Sequence, residues 1–175
     1  SHDSKAHDPW LYESEDTTHY SIADKEGNMV AITKTVNGLF GNSAVVDGYG
    51  FVMNNEMDDF VLGAGHPNSV APSKTPLSSM SPTIVLKDGK PFMVLGSPGA
   101  TKIISTVSQV ISRVIDHKMG MQDAIDAPRL WDNTSNKINV ETRISDETIK
   151  QLETMGHKTN KTSEWDRGMG SVQGV

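Results

Sequence analysis

Hydrophobic positions along this chain come in short bursts separated by turn-forming residues, and only one burst has a helical period. Thr18–Ala23 and Met29–Val36 are rich in β-branched residues, and Asp24-Lys25-Glu26-Gly27-Asn28 between them predicts a β-hairpin. A glycine-rich stretch, 37–50, leads to a short strand candidate at Phe51-Val52-Met53. Residues 54–81 then read as a long irregular region, the kind of loop that often carries function. A second hairpin is predicted over 83–95, turning at Lys87-Asp88-Gly89-Lys90.

The helical burst follows Gly96-Ser97-Pro98-Gly99. Ile103, Ile104, Val107, Val110, Ile111, Val114 and Ile115 recur at three and four residues, which places them on one helical face, and the helix should end near Gly120. A short helix over 121–127 is stopped by Pro128, and 136–141 is a modest strand. Ser145 then offers an N-cap, Asp146 and Glu147 fill the first turn, Ile144 can staple onto Ile149, and Gly156 ends the helix. Hairpin, hairpin, helices, strand, helix is an α+β order, with antiparallel sheet and helices layered on it.

With 175 residues the chain is long enough for one domain with a real core. Its 16 Lys and Arg against 22 Asp and Glu leave a formal charge of -6, which argues against a nucleic-acid surface. The absence of cysteine removes disulfides, thiolate metal sites and a cysteine nucleophile together. Residues 1–16 are polar and aperiodic, with no apolar core of a signal peptide, and no stretch is long and apolar enough to span a bilayer.

His2, Asp3, His7 and Asp8 are metal-ligand types close together, but a solvated tail accounts for them. His19, His66, His117 and His157 have no ligand spacing, and no phosphate-binding or serine-nucleophile motif occurs. Two segments stand out. Asn54-Asn55-Glu56-Met57-Asp58-Asp59-Phe60 reads either as a solvated acidic turn or as a pocket for a cationic amine. Gly96-Ser97-Pro98-Gly99-Ala100 reads either as a tight turn with a helix start or as backbone N–H groups presented to an oxyanion.

Asp16-Thr17-Thr18-His19-Tyr20-Ser21 closely resembles the processing site of the γ-glutamyltransferases, members of the N-terminal nucleophile hydrolases. The resemblance runs on in family order through Asp24-Lys25-Glu26-Gly27-Asn28, Thr35-Val36-Asn37, Phe40-Gly41, the 54–60 segment and Pro76-Leu77-Ser78-Ser79-Met80-Ser81-Pro82-Thr83. Gly96–Ala100, Ala127-Pro128-Arg129 and Gly170-Ser171-Val172-Gln173 complete it, so that it covers about residues 12–175.

The resemblance implies a four-layer αββα sandwich, completed by a large subunit of the same precursor. Residues 1–16 would end that large subunit, and 17–175 would be most of the small catalytic subunit. It implies autocatalytic cleavage between Asp16 and Thr17, with Thr17 as nucleophile. The freed α-amine, whose ordinary pKa of about 7.7–8.0 suits a general base near neutrality, would serve beside it. By the same resemblance Thr35 hydrogen-bonds the nucleophile, and Asn37, Glu56 and Asp59 hold the head of the glutamyl group. Asp59 would pair with its ammonium, Ser78 and Ser79 would hold its carboxylate, and Gly99 and Ala100 would form the oxyanion hole. Most members have Gly-Gly there; Ala100 keeps its N–H, and the departure matters only if the position needs positive φ.

The implied reaction is transfer of a γ-glutamyl group from glutathione or another donor to water or an amino acid, without cofactor or metal. The implied setting is secreted, periplasmic or cell-surface. The segment between Asp59 and Ser78 is short and has no aromatic gate, so oligomeric γ-glutamyl donors fall within the expected range. A glutaryl-type acylase sharing Thr17, and a non-catalytic fragment serving as a folding or binding module, are the alternatives.

Overall fold

The computed structural model describes residues 16–132 and 137–175, so the His2, Asp3, His7 and Asp8 group lies outside the described residues. In chain order the elements are β1 (Thr18–Ala23), β2 (Met29–Lys34), β3 (Thr83–Lys87), β4 (Lys90–Gly96), α1 (Ile103–Ile115), α2 (Met121–Asp126), β5 (Leu130–Trp131), β6 (Ile138–Val140), α3 (Asp146–Thr154), β7 (Thr159–Lys161) and β8 (Gln173–Gly174). Short 3-10 turns at Glu56–Asp59, Ala100–Lys102 and Arg167–Met169 complete the list.

Strands β1 and β2 form an antiparallel hairpin with Tyr20 opposite Ile32. A second antiparallel sheet runs β3-β4-β8. Its strand β4 is buried on both faces from Met93 onward, which is why it reads as a continuous apolar run. Met93 and Leu95 pack with Ile103, Val107 and Val110 of α1, Ala124 of α2 and Val172. Val94 and Gly96, pointing the other way, face the β1–β2 hairpin. Gly96 is required there, because a Cβ at this position would lie inside the His19 imidazole. The stacking is therefore helix, sheet, sheet: three of the four layers of an αββα sandwich.

The apolar stripe falls on α1 as its spacing predicts, with Ile104 and Ile115 at the exposed margins. Ser145 caps α3 by accepting the Thr148 N–H at 3.2 Å. Phe51-Val52-Met53, in contrast, forms no strand and contributes only an isolated bridge from Val52 to Val45. The small third sheet, β5-β6-β7, departs from the all-antiparallel expectation: β6 and β7 run parallel, joined by α3.

Candidate active site

The β1–β2 register pairs Thr18 with Lys34. Extended by one residue at the open end of the hairpin, it sets Thr17 opposite Thr35. Both line a small open cleft together with Asn37, Glu56, Asp59, Ser78, Ser79, Met80, Ala100 and Ile103. Residues drawn from five separate stretches of sequence thus meet around one threonine. Gly99 sits just behind Ala100, and Asp16 lies exposed beside Thr17.

One wall of the cleft is acidic. Asn37 adopts φ 70°, a conformation asparagine tolerates better than most residues, and its side-chain amide donates to the Asp59 carboxylate at 3.2 Å. The Asn37 N–H in turn donates to Thr35 Oγ1 at 2.9 Å, so the residue ties the β2 end to the acidic turn. Asn55 docks that turn by accepting the Gly38 N–H at 2.7 Å and donating to Asp58 at 2.8 Å. Burial pushes the Asp59 carboxyl above the ordinary carboxylate range, while hydrogen bonds from Asn37 and Glu56 pull against that shift. The opposite wall carries Ser78, exposed, and Ser79, buried.

The third wall is the turn from β4 into α1. Ser97 is fully buried; its hydroxyl donates to Pro98 O at 2.5 Å and accepts the Ser171 N–H at 3.0 Å. Gly99 has φ 135°, and a Cβ on it would lie 2.9 Å from Gly170 Cα. Ala100 has φ 53°, so the position does take the left-handed backbone in which alanine is strained. The turn rests on residues 169–171, which are held from below. Thr106 donates to Met169 O at 2.7 Å, and Arg129 donates to Gly170 O at 3.0 Å. Buried Glu141 accepts the Arg129 and Asp166 backbone N–H groups and pairs with Arg143 at 2.5 Å.

These supports, with Asn55, Met80 and Ile103, are what sequence reasoning left unassigned. The Asn54-Asn55 pair ahead of carboxylates is a turn signal that could have marked Asn55. Nothing local marks Thr106, whose partner is 63 residues away, or Glu141, whose backbone donors are 12 and 25 residues away.

His19 is buried away from the cleft. Ser21 Oγ donates to Gln173 O, so it accepts from His19 Nε2 at 2.9 Å, leaving Nδ1 to accept from Thr33 Oγ1 at 2.7 Å. Burial lowers its pKa, and the neutral ring fills the space over Gly96. His66, His117 and His157 are exposed. Among the described residues no cluster of three or more His, Asp or Glu side chains could hold a metal ion, and no helix is long and apolar enough to cross a membrane.

A terminal-threonine candidate at the end of one hairpin, at the edge of a helix-sheet-sheet stack, with an acidic wall and a helix-start turn around it, is the arrangement of an N-terminal nucleophile hydrolase. The gamma-glutamyltranspeptidase family model matches residues 1–175, and the chain belongs to that family. It is 44% identical over 177 residues to the glutathione hydrolase proenzyme of Escherichia coli (strain K12), covering 94% of this chain and 30% of that protein. An acylase proenzyme of Pseudomonas sp. (strain SE83) is 38% identical over 160 residues, 91% of this chain and 28% of its own. The chain thus spans less than a third of these relatives' length. The crystal structure of a mutant gamma-glutamyltranspeptidase from Helicobacter pylori superposes with TM-score 0.80 at 42% identity, over 90% of this chain and 89% of that one.

Proposed function

We propose that this chain carries the catalytic half of a γ-glutamyl transferase and hydrolase, with Thr17 as its nucleophile. The observation that supports this most is the convergence of Thr17, Thr35, Asn37, Glu56, Asp59, Ser78, Ser79 and Ala100 on one cleft.

In the precursor, Thr17 Oγ attacks the Asp16 carbonyl; the C–N bond breaks, which frees the Thr17 α-amine and leaves an ester, and water hydrolyses that ester to the Asp16 carboxylate and the Thr17 hydroxyl. In turnover, Thr17 Oγ attacks the donor's γ-carbonyl while the α-amine accepts the hydroxyl proton. The Gly99 and Ala100 N–H groups receive the oxyanion. Collapse expels the donor's amine, which takes the proton, and leaves a γ-glutamyl ester on Thr17. Water or an amino acid then attacks that ester and regenerates the hydroxyl. Asp59, with Asn37 and Glu56, holds the donor ammonium, and Ser78 and Ser79 hold its carboxylate. The upstream part of the same precursor is the partner subunit, and the relatives' designation as proenzymes supports that reading. Secretion or display at the cell surface is part of the same proposal, on family resemblance.

The Pseudomonas acylase keeps a second reading open, a glutaryl acylase. The acidic wall favours the γ-glutamyl reading, because a glutaryl group has no ammonium for Asp59 to meet. Residues 62–67 are exposed and include no Phe, Tyr or Trp, which favours donors larger than a tripeptide.

Thr17→Ala in the full-length precursor should give a single uncleaved chain with no hydrolysis of a γ-glutamyl anilide, and Thr17→Ser should retain both in part. Cleavage at normal yield in the alanine variant, seen by mass spectrometry, would remove Thr17 from the mechanism.

A further inference from the structure

The segment between the two substrate walls is short and mostly exposed, yet one residue in it touches both sides. Asn68 Nδ2 donates to the Asp59 carbonyl oxygen at 2.6 Å, and Asn68 Oδ1 accepts the Leu77 N–H at 3.1 Å. Asp59 belongs to the acidic wall; Leu77 immediately precedes Ser78 and Ser79. One amide therefore spans the gap, using its donor and its acceptor at once. The Asn68 carbonyl also accepts the Val61 N–H at 3.0 Å, closing a loop of the chain just beyond Asp59.

Asn68 is itself held in place. Its N–H donates to His66 Nδ1 at 3.0 Å, and the His66 N–H donates to Ser69 Oγ at 3.0 Å. Lys74 Nζ donates to Pro67 O and to Ser69 O, bracing the same turn from outside. A side chain fixed this way transmits position rather than merely filling space.

We infer that Asn68 is a positioning residue for donor binding: it sets the separation between the Asp59 wall and the Ser78–Ser79 wall. The inference rests on the proposed reading of those walls. The segment 60–77 then works as a strut beside the pocket, and the cleft stays open while its head-group contacts keep their spacing. Neither Thr17 nor the β4–α1 turn is touched by Asn68, so cleavage and acyl chemistry should be spared while recognition of the charged head is lost.

The experiment uses the processed full-length enzyme with three anilides: γ-glutamyl, glutaryl, and butyryl, which lacks both head charges. In Asn68→Ala, KM for the γ-glutamyl anilide should rise about tenfold with kcat within about threefold of wild type, the scale of losing well-placed hydrogen bonds. Glutaryl should suffer less, and butyryl not at all. Asn68→Asp keeps the acceptor for Leu77 but sets a carboxylate oxygen against the Asp59 carbonyl, so it should raise KM for the γ-glutamyl donor at least as much as alanine. An unchanged KM with only a lowered Tm, or an equal KM rise for butyryl, would overturn the inference. If neither variant yields processed enzyme, Lys74→Ala decides. It loosens the turn without altering the Asn68 amide, and an unchanged γ-glutamyl KM in it would equally overturn the inference. Failure of the underlying functional reading would show separately, as a wild-type enzyme that does not hydrolyse the γ-glutamyl anilide.

Discussion

Burial in the cleft holds the Asp59 carboxyl above its ordinary value of 3.8, so the fold works against its charge. The sign follows from proton counting. Below 3.8 both folded and unfolded chains are protonated at this group, and it leaves stability untouched. As pH rises toward the folded pKa, the unfolded chain loses its proton first, and stability declines. Asp59→Asn should therefore raise Tm at pH 7 relative to wild type and change it little at pH 3.5, as read by thermal melts of the processed enzyme. The same substitution should cut kcat/KM for γ-glutamyl donors by well over tenfold, since breaking a buried charge pair with the substrate costs on the order of 2–5 kcal/mol. A smaller loss for a glutaryl donor is expected. Equal losses would make Asp59 structural and favour the acylase reading. Ala100 makes the complementary case. Its φ of 53° is a strained backbone for alanine, on the order of 1 kcal/mol, and Ala100→Gly should raise Tm by a few degrees.

Elements were legible in proportion to how locally they are specified. Helix α1 declares itself through its own stripe, and the two hairpins through their turn residues; the hairpins could be placed within about two residues, whereas α1 ends at Ile115, short of the Gly120 that its sequence suggested. Strands β5 and β8 have two residues each and β7 three, too few for any period, and they exist because a neighbour supplies the ladder. The parallel β6–β7 pair depends on the α3 crossover folding back, which no short window contains. The site divides in the same way. The 54–60 segment with Asp59 and the 96–100 turn stand out because their residue types are unusual together; Thr17, and the roles of all of them, became readable only through family resemblance. Glu141, Thr106 and Asn68 look like ordinary polar residues until the chain is folded. The packing itself makes a sharp contrast testable. Leu95 is fully buried between α1 and β4's neighbours, so Leu95→Ala should destabilise by about 2–5 kcal/mol. Ile104 belongs to the same sequence stripe but is 55% exposed, and Ile104→Ala should stay within about 0.5 kcal/mol. Denaturant melts of the two variants side by side would show whether sequence period or actual burial governs the helix.

At the scale of the molecule, the hairpin β1–β2 uses only one of its faces. His19 and Ser21 point inward and are tied to Thr33 and Gln173, while Tyr20, Ile22, Val30 and Ile32 stand opposite one another on the outside, each more than a third exposed. Four apolar side chains in register on one sheet face form a patch that seldom faces water in a finished protein. In the four-layer sandwich this is the side on which the remaining helix layer lies. Thr17, the proposed nucleophile, sits at the end of the same hairpin, so the covering layer bears directly on how firmly it is held. Residues 17–175 produced alone should therefore unfold broadly, bind a hydrophobic dye such as ANS, and lack γ-glutamyl hydrolysis. Produced together with the upstream part of the precursor, the same residues should melt cooperatively, lose the dye signal and turn over the anilide. Sharp unfolding without dye binding in the isolated segment would mean that three layers close by themselves and that the outer face of β1–β2 needs no cover.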